Sequence, residues 1–560
     1  MAFANLLPLE SWWPPSAAGI LLALTALYAF ALYLSSRKLD PREPEVVAPA
    51  VPLVGHVLGM AIFGGRYVKN LGIRRPDLPI FTLPVPGSRL YIVTDPGLAA
   101  AVQRAPRALS FLPLVPELTR RVLGLDAASV AIARRRIDDD LDLPATTAAA
   151  GPPRARGFLT DIQDMVTAQL APGAYLGRLS LRAARDLRDE IGTWRATALD
   201  PPHRPAAARA DLLAWVRGLV TRSTARSLYG ARNPVAADAS LADAFWDFDG
   251  GLGGLLAGVW PAATARRAHA GRERLVAALE TYLARGEHLT GDEAEDGPGC
   301  SAIVRRRVAI ALAHGWALGA VAREELSFLF AGIVNATTTA FWVLAHAYAD
   351  AALLAAARRE VEAALEPAEE EGGGSRRRLS IAALRDRCPA LAATYRECLR
   401  LGSDTYSTRL VREDTLLAGR HWLRRGAVVQ VAGGVMHADA RIWGADAAAF
   451  DHRRFLEGPE AEAKKRNKNK VHPAAFRAFG GGKTLCPGRH FATNEILALV
   501  ALVVLQFDAR APDGGPIEVP RKNDGVLPVH VLEPVRPVEV VISERADGFA
   551  AGGLDVEFVL

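Results

Sequence analysis

Apolar residues along this chain follow two periods, broken by polar stretches. Alanine, leucine and arginine alternate at helical spacing over about 158–170, 208–229, 270–286, 303–365 and 379–401, which predicts helices there. Residues 80–94 (IFTLPVPGSRLYIVT) carry β-rich runs on both sides of Pro86-Gly87 and predict a hairpin. Residues 407–432 alternate around Arg425-Gly426 and predict short strands with a turn, and Phe507 to Glu544, rich in Val, Pro and Gly, predicts β hairpins. Residues 138–157, 290–299 and 366–378 are polar or rich in Gly and Pro and read as surface loops. The chain shows no internal repeat, and after about residue 52 no linker long enough to divide it. The predicted body (53–560) is mainly α with small peripheral β-sheets.

Ahead of that body lies a different pattern. Ala17 to Leu34 (AAGILLALTALYAFALYL) is uncharged, and its 18 residues span about 27 Å as a helix, close to the thickness of a bilayer's hydrocarbon layer. Trp12, Trp13 and Tyr33 lie at its ends, where interfacial aromatics belong. Arg37, Lys38 and Arg42 follow it and only Glu10 precedes it, so the charge rule places the body on the cytosolic side. Residues 1–36 are therefore expected to hold a single transmembrane anchor and residues 37–52 a proline-stiffened linker (Pro41, Pro44, Pro49, Pro52). A cleaved signal peptide fits less well, because the N-terminus has no basic region. A buried core helix fits less well again, with prolines isolating the segment on both sides.

Composition narrows the class. The chain is 560 residues long, 50% hydrophobic and 23% charged. That apolar share excludes disorder, and the charge density excludes a polytopic membrane protein. A net charge of +6 from 67 basic and 61 acidic residues does not call for nucleic acid. Four cysteines (Cys300, Cys388, Cys398, Cys486) are too few for a disulfide framework and fit a reducing compartment.

The chemistry concentrates in residues 479–488, FGGGKTLCPG. Gly482-Lys483-Thr484 imitates the end of a phosphate-binding loop, but the glycine that loop needs is Arg477 here. The run instead matches F-x-x-G-x-x-x-C-x-G through Phe479, Gly482, Cys486 and Gly488, with an apolar helix starting just after it. In this the sequence resembles the cytochrome P-450 superfamily, whose haem-ligand signature this is. The resemblance implies the cytochrome P-450 fold, a haem b cofactor and Cys486 as the axial thiolate. A thiolate makes the iron electron-rich enough to split O–O. Amides at the start of the following helix would stabilise it. Gly482 would permit a tight turn, Gly488 a close backbone approach, and Phe479 would shield the sulfur. Thr484 stands where the family often has an arginine for a haem propionate.

Other motifs follow in the family's order. Glu397 and Arg400 form E-x-x-R, three residues apart on one helix face. Alone such a pair reads as a solvated surface. The resemblance makes it buried and joined to Arg454 of FDHRRF, where His452 replaces the usual proline, and gives the three a structural role. Arg409 is placed as a propionate-binding residue. A helical Trp-x-x-x-Arg is not visible near residues 120–170, so a second propionate partner has no candidate.

Residues 324–348 are expected to form the helix over the haem. Ala331 and Gly332 match the family's A-G-x-acid-Thr, but Val334 and Asn335 replace the acid and the alcohol. Asn335 followed by Phe341-Trp342 is similar to the branch of cholesterol 7α-hydroxylase and prostacyclin synthase. An amide can hydrogen-bond but donates protons poorly. Proton delivery is therefore expected to involve Asn335 with Thr337, Thr338 or water. Asn335-Ala336-Thr337 also reads as a glycosylation triplet, for which a buried cytosolic helix predicts no glycan.

Phe111, Leu112, Leu114, Phe245, Trp246 and Leu527 fall where the family contacts substrate, and imply a lipophilic small molecule. Lys464 to Lys470 (KKRNKNK) reads either as a solvated loop or as a docking patch for an acidic NADPH–cytochrome P-450 reductase. The expected protein is a monooxygenase of the endoplasmic reticulum membrane, similar to fungal enzymes of secondary metabolism. Two alternatives stand beside it: a haem-thiolate isomerase or dehydratase acting on a peroxide, and a non-enzymatic membrane-bound haem protein.

Overall fold

The structure is a computed structural model that describes residues 15–36, 38–49, 55–137, 156–199, 207–291, 297–367, 377–456, 471–545 and 555–560. Lys464–Lys470 and most of the three polar loops lie outside the described residues.

Helices dominate. Seven matter here: α1 (Pro15–Ser36), α2 (Phe158–Gln169), α3 (Ala174–Ala198), α4 (Leu212–Tyr229), α5 (Leu318–Ala349), α6 (Pro389–Gly402) and α7 (Arg489–Gln506). The core is centred on α5 and α7. From Asn494 to Gln506 every residue of α7 is buried, so this helix has no solvent face. Both α5 and α7 are long and apolar enough to cross a membrane, but 72% of the apolar window of each is buried inside the fold, which makes them core helices. By contrast, α1 exposes Ile20, Leu21, Leu22, Leu24, Leu27 and Phe30.

The largest sheet joins the N-terminal part of the body to the segment before the cysteine loop. Its strands are β1 (Glu45–Val46), β2 (Ile80–Val85), β3 (Ser88–Val93), β4 (Leu109–Ser110), β5 (Tyr406–Val411) and β6 (Val428–Ala432), in the order β1-β2-β3-β6-β5-β4. The β2–β3 hairpin is the expected one: Val85 faces Ser88, and Gly87 at φ 72° takes the left-handed position of the turn after Pro86. β6 pairs parallel to β3 and antiparallel to β5, opposing Val429 to Arg409. This lays β5 along the cysteine loop.

Elsewhere the structure corrects the expected elements. Residues 207–211 form a strand, because Ala207–Asp211 pairs with Glu539–Glu544; Asp211 then caps α4, accepting from the Ala214 amide at 2.7 Å. The tail is not a set of local hairpins: Phe507–Arg510 pairs with Glu539–Glu544 across a long irregular segment. The stretch 303–365 divides into Ala302–Ala313, α5 and Ala351–Ala364, broken near Gly315 at φ 83° and at the Asp350 cap. Helix α3 was not expected, because its arginines obscure the apolar stripe of Leu176, Leu179, Ala183, Leu187 and Ile191.

Candidate active site

Phe479 to Gly488 wraps around a sulfur. The Cys486 amide donates to the Phe479 carbonyl at 2.9 Å, and the Leu485 amide to Gly482 at 3.0 Å, which closes the loop on itself. Gly482 holds φ 62°, and a Cβ there would lie 3.0 Å from the Gln103 side chain. Gly488 has an ordinary φ of −78° and caps α7. A Cβ there would lie at ordinary contact distance, 3.9 Å, from the Cys486 sulfur. Burial pushes the Cys486 thiol up, while the Gly488 amide, the Arg489 guanidinium and the Arg489 amide draw it back toward the thiolate. All four cysteines are free; Cys300, Cys388 and Cys398 are buried in the core, and Cys486 is the half-buried one.

Cys486 borders a cavity of about 550 Å³, within the range of small-molecule sites. Its opposite wall is α5, through Ala331, Gly332, Asn335, Ala336 and Thr339. Further walls come from Ile162 and Val166 of α2, Ser407 to Arg409 of β5, and Val529 and Val531 of the tail. No aspartate, glutamate or histidine lines it among the described residues. The Asn335 side chain opens into this space, and its Oδ1 accepts from the Val531 amide at 2.9 Å. That bond fixes the amide so that Nδ2, a donor, remains for the cavity. Val334 is fully buried and offers no polar group.

Thr337 and Thr338 are not where a role in proton delivery needs them. Both are buried, their hydroxyls donating to Ile333 at 2.8 Å and Val334 at 3.1 Å within the helix, and neither borders the cavity. The threonine of α5 that does border it is Thr339, which the sequence reading passed over. Of the six apolar residues expected near substrate, Phe111 lines the cavity. Phe245 is core, Trp246 donates to Thr221 under Arg217, and Leu527 faces outward. Leu112 and Leu114 are half-buried outside the lining.

The structure brings Glu397, Arg400 and Arg454 together. Arg400 grips Glu397 with two bonds, Nη2 to Oε1 at 2.6 Å and Nε to Oε2 at 2.8 Å, both side chains being fully buried. Arg454 adds a bond to the same carboxylate at 3.3 Å and donates to the Trp443 and Asp446 carbonyls. Arg400 also donates to the His437 carbonyl at 2.6 Å. The His437 ring donates from Nδ1 to Ser403 at 2.9 Å and accepts at Nε2 from the Arg477 amide at 2.8 Å. Burial lowers this imidazole to about 3, so it stays neutral and keeps the lone pair that Arg477 needs. Glu397, Arg400 and His437 thus brace the chain nine residues before Cys486.

On β5, Arg409 is buried and turned to the cysteine loop, donating to the Thr484 hydroxyl and, at 2.7 Å, to the Thr408 carbonyl. Burial draws its guanidinium down to about 10. Arg477, which the sequence reading used only to exclude a phosphate-binding loop, lies beside it, drawn down to about 10 by burial and by the Arg409 charge. Its contacts with Ser407 and His437 bridge segments some seventy and forty residues away, which no local pattern reveals.

Comparison with known proteins agrees with this arrangement. The profile of the family described as Cytochrome P-450 matches residues 318–533, from α5 through the cysteine loop into the tail. Cytochrome P-450 monooxygenase nodJ of Hypoxylon pulicicidum is 30% identical over 533 residues, 94% of this chain and 95% of that protein. Cytochrome P-450 7B1 of Mus musculus is 24% identical over 533 residues, covering 92% and 94%. Cholesterol 7-alpha-monooxygenase of Cricetulus griseus is 26% identical over 216 residues, covering 37% and 43%. The last two agree with the branch suggested by Asn335 and Phe341-Trp342. Proteins of this family bind haem through a cysteine thiolate. With a relative at 30% identity along nearly its whole length, the chain belongs to the cytochrome P-450 family of haem-thiolate monooxygenases.

Proposed function

We propose that this chain is a membrane-anchored monooxygenase that oxidises a lipophilic small molecule, with Cys486 as the haem ligand. Haem supplies the iron at which O2 is reduced, one oxygen atom entering the substrate and the other leaving as water. NADPH, through a separate reductase, supplies the two electrons that balance this, with two protons from solvent. The observation that carries the reading is the cavity between Cys486 and the α5 face of Ala331 and Asn335. The residues present fit haem: a thiol under two helix-start amides, and a buried guanidinium, Arg409, that lines the cavity with no carboxylate partner among the described residues.

In this reading Phe479 and Gly482 shape the ligand loop, and Glu397, Arg400 and Arg454 keep it in place. Arg409 faces the cofactor's carboxylates. The apolar wall of Phe111, Ile162, Val166, Val529 and Val531 selects a lipophilic substrate and excludes water. Asn335 holds a donor toward the cavity centre and orders water there, which makes water the proton carrier in place of an acidic side chain.

The exposed apolar face of α1 supports residues 1–36 as a single-pass anchor in the endoplasmic reticulum membrane, followed by the linker 37–52 and the cytosolic catalytic domain 53–560. Lys464–Lys470 is the reductase docking patch in this scheme, and the fungal relative nodJ supports a place in secondary metabolism. The test is oxygen uptake by the protein and NADPH–cytochrome P-450 reductase against a panel of lipophilic metabolites. Substrate-dependent uptake matched by hydroxylated product supports the reading. Val334, buried, and Asn335, in the cavity wall, stand in place of the acid and the alcohol and favour one second reading, isomerisation of a peroxide. Product formed from a peroxide without O2 or NADPH would establish that reading instead.

A further inference from the structure

Five buried guanidinium groups elsewhere in the fold are paired with carboxylates. Arg89 has Glu43 at 3.3 Å, Arg272 has Glu273 at 2.8 Å, Arg307 has Glu325 at 3.0 Å, Arg400 has Glu397 at 2.6 Å and Arg545 has Glu362 at 2.8 Å. Arg409 and Arg477 differ from these five, although they are only 5% and 3% exposed. Their partners are neutral. Arg409 has the Thr408 carbonyl and the Thr484 hydroxyl. Arg477 has the Ser407 hydroxyl at 3.1 Å from Nη2, the Gln103 amide beside Nη1, and nothing on Nε. Two like charges held side by side out of water, with no counter-charge among the described residues, are costly. Arg409 lines the cavity with Ser407 and Thr484, and Arg477 lies directly behind this edge, joined to it through Ser407.

We propose that Arg477 and Arg409 together form the site for the two haem propionates, with the Ser407 and Thr484 hydroxyls as neutral donors. The inference rests on the haem reading above. It assigns the second propionate partner, which sequence left without a candidate, to a residue nine positions before the cysteine. The two carboxylates of the cofactor supply the two missing negative charges, and the unpaired Arg477 Nε becomes a donor to one of them. Arg477 is a binding and positioning residue, since its backbone also ties the loop to His437.

The test is the rate at which holoprotein gives up haem to excess apomyoglobin, for wild type and Arg477→Gln, each loaded with haem or with haem dimethyl ester. With ordinary haem the variant should release about tenfold faster or more, the usual worth of a charge-assisted bond. With the ester, whose carboxylates carry no charge, wild type and variant should release at equal rates. Unchanged release of ordinary haem, or equal acceleration for both cofactors, overturns the proposal. If Arg477→Gln does not accumulate folded, Arg477→Lys is compared in the same way, and several-fold faster release confined to ordinary haem is expected. Added inorganic phosphate should not restore retention by the variant; restoration would show a general anion site and overturn the assignment to propionates. The carbon-monoxide spectrum keeps failure of this proposal separate from failure of the haem reading, because the variant retains the thiolate.

Discussion

Glu495 sits on α7, nine residues past the cysteine, sealed in the core with one oxygen accepting from the Thr224 hydroxyl at 2.7 Å and the other without a partner. Burial raises its carboxyl from 4.5 to about 7. The folded chain therefore holds a proton there that the unfolded chain loses above pH 4.5. Stability from this group is complete below pH 4.5, falls as pH rises toward 7, and is lost above it. Glu495→Gln should raise the melting temperature at pH 8, by up to about 3 kcal/mol of stability, and change little at pH 4.5. Equal effects at both values would contradict the buried proton. Gly482 offers a second residue-scale check. Gly482→Ala forces a left-handed φ and a close approach to Gln103, whereas Gly87→Ala meets nothing within 4 Å at a similar φ of 72°. Both should lose about 1–2 kcal/mol from the backbone in denaturant titration, with a larger loss and weaker haem retention for Gly482.

Among the elements, the brace of α6 does most to hold the ligand loop. Glu397→Gln leaves Arg400 buried with its counter-charge removed, so it should destabilise the fold by about 3–5 kcal/mol and yield protein depleted in haem. Arg453→Gln, on an exposed guanidinium of the same segment, serves as the control and should do neither. This brace was legible because its spacing carries its meaning: Glu397 and Arg400 sit on one helix face, and Arg454 lies in a recognisable segment. The face of α5 was legible only in part. The cavity side runs through Ala331, Gly332, Asn335, Ala336 and Thr339. Thr337 falls on the opposite side of that turn, and the Thr338 hydroxyl turns back to Val334, so helical phase would have favoured Thr339. Arg477 was illegible for a different reason, since its significance lies in the carboxylate that long-range packing fails to provide. The tail misled for a related reason, as its strand Glu539–Glu544 lies between the distant strand Ala207–Asp211 and Phe507–Arg510 rather than in a local hairpin.

At the scale of the molecule, the account separates an anchor from a catalytic body. Removing residues 1–36 should move the protein from the membrane pellet toward the soluble fraction and leave the carbon-monoxide spectrum of the body unchanged. Loss of the spectrum would mean that α1 belongs to the fold. Raising ionic strength should slow reduction by the reductase in the intact chain, and much less after the lysines of 464–470 are changed to glutamine, because docking between opposite charges is screened.

The central claim is that the sulfur of Cys486 binds the iron. Its most direct test is the reduced carbon-monoxide difference spectrum of the wild type and of Cys486→Ser. The wild type should show the red-shifted Soret band of thiolate ligation, and the serine variant should lose it while keeping its circular dichroism. A variant that keeps both the fold and the shifted band would contradict the account.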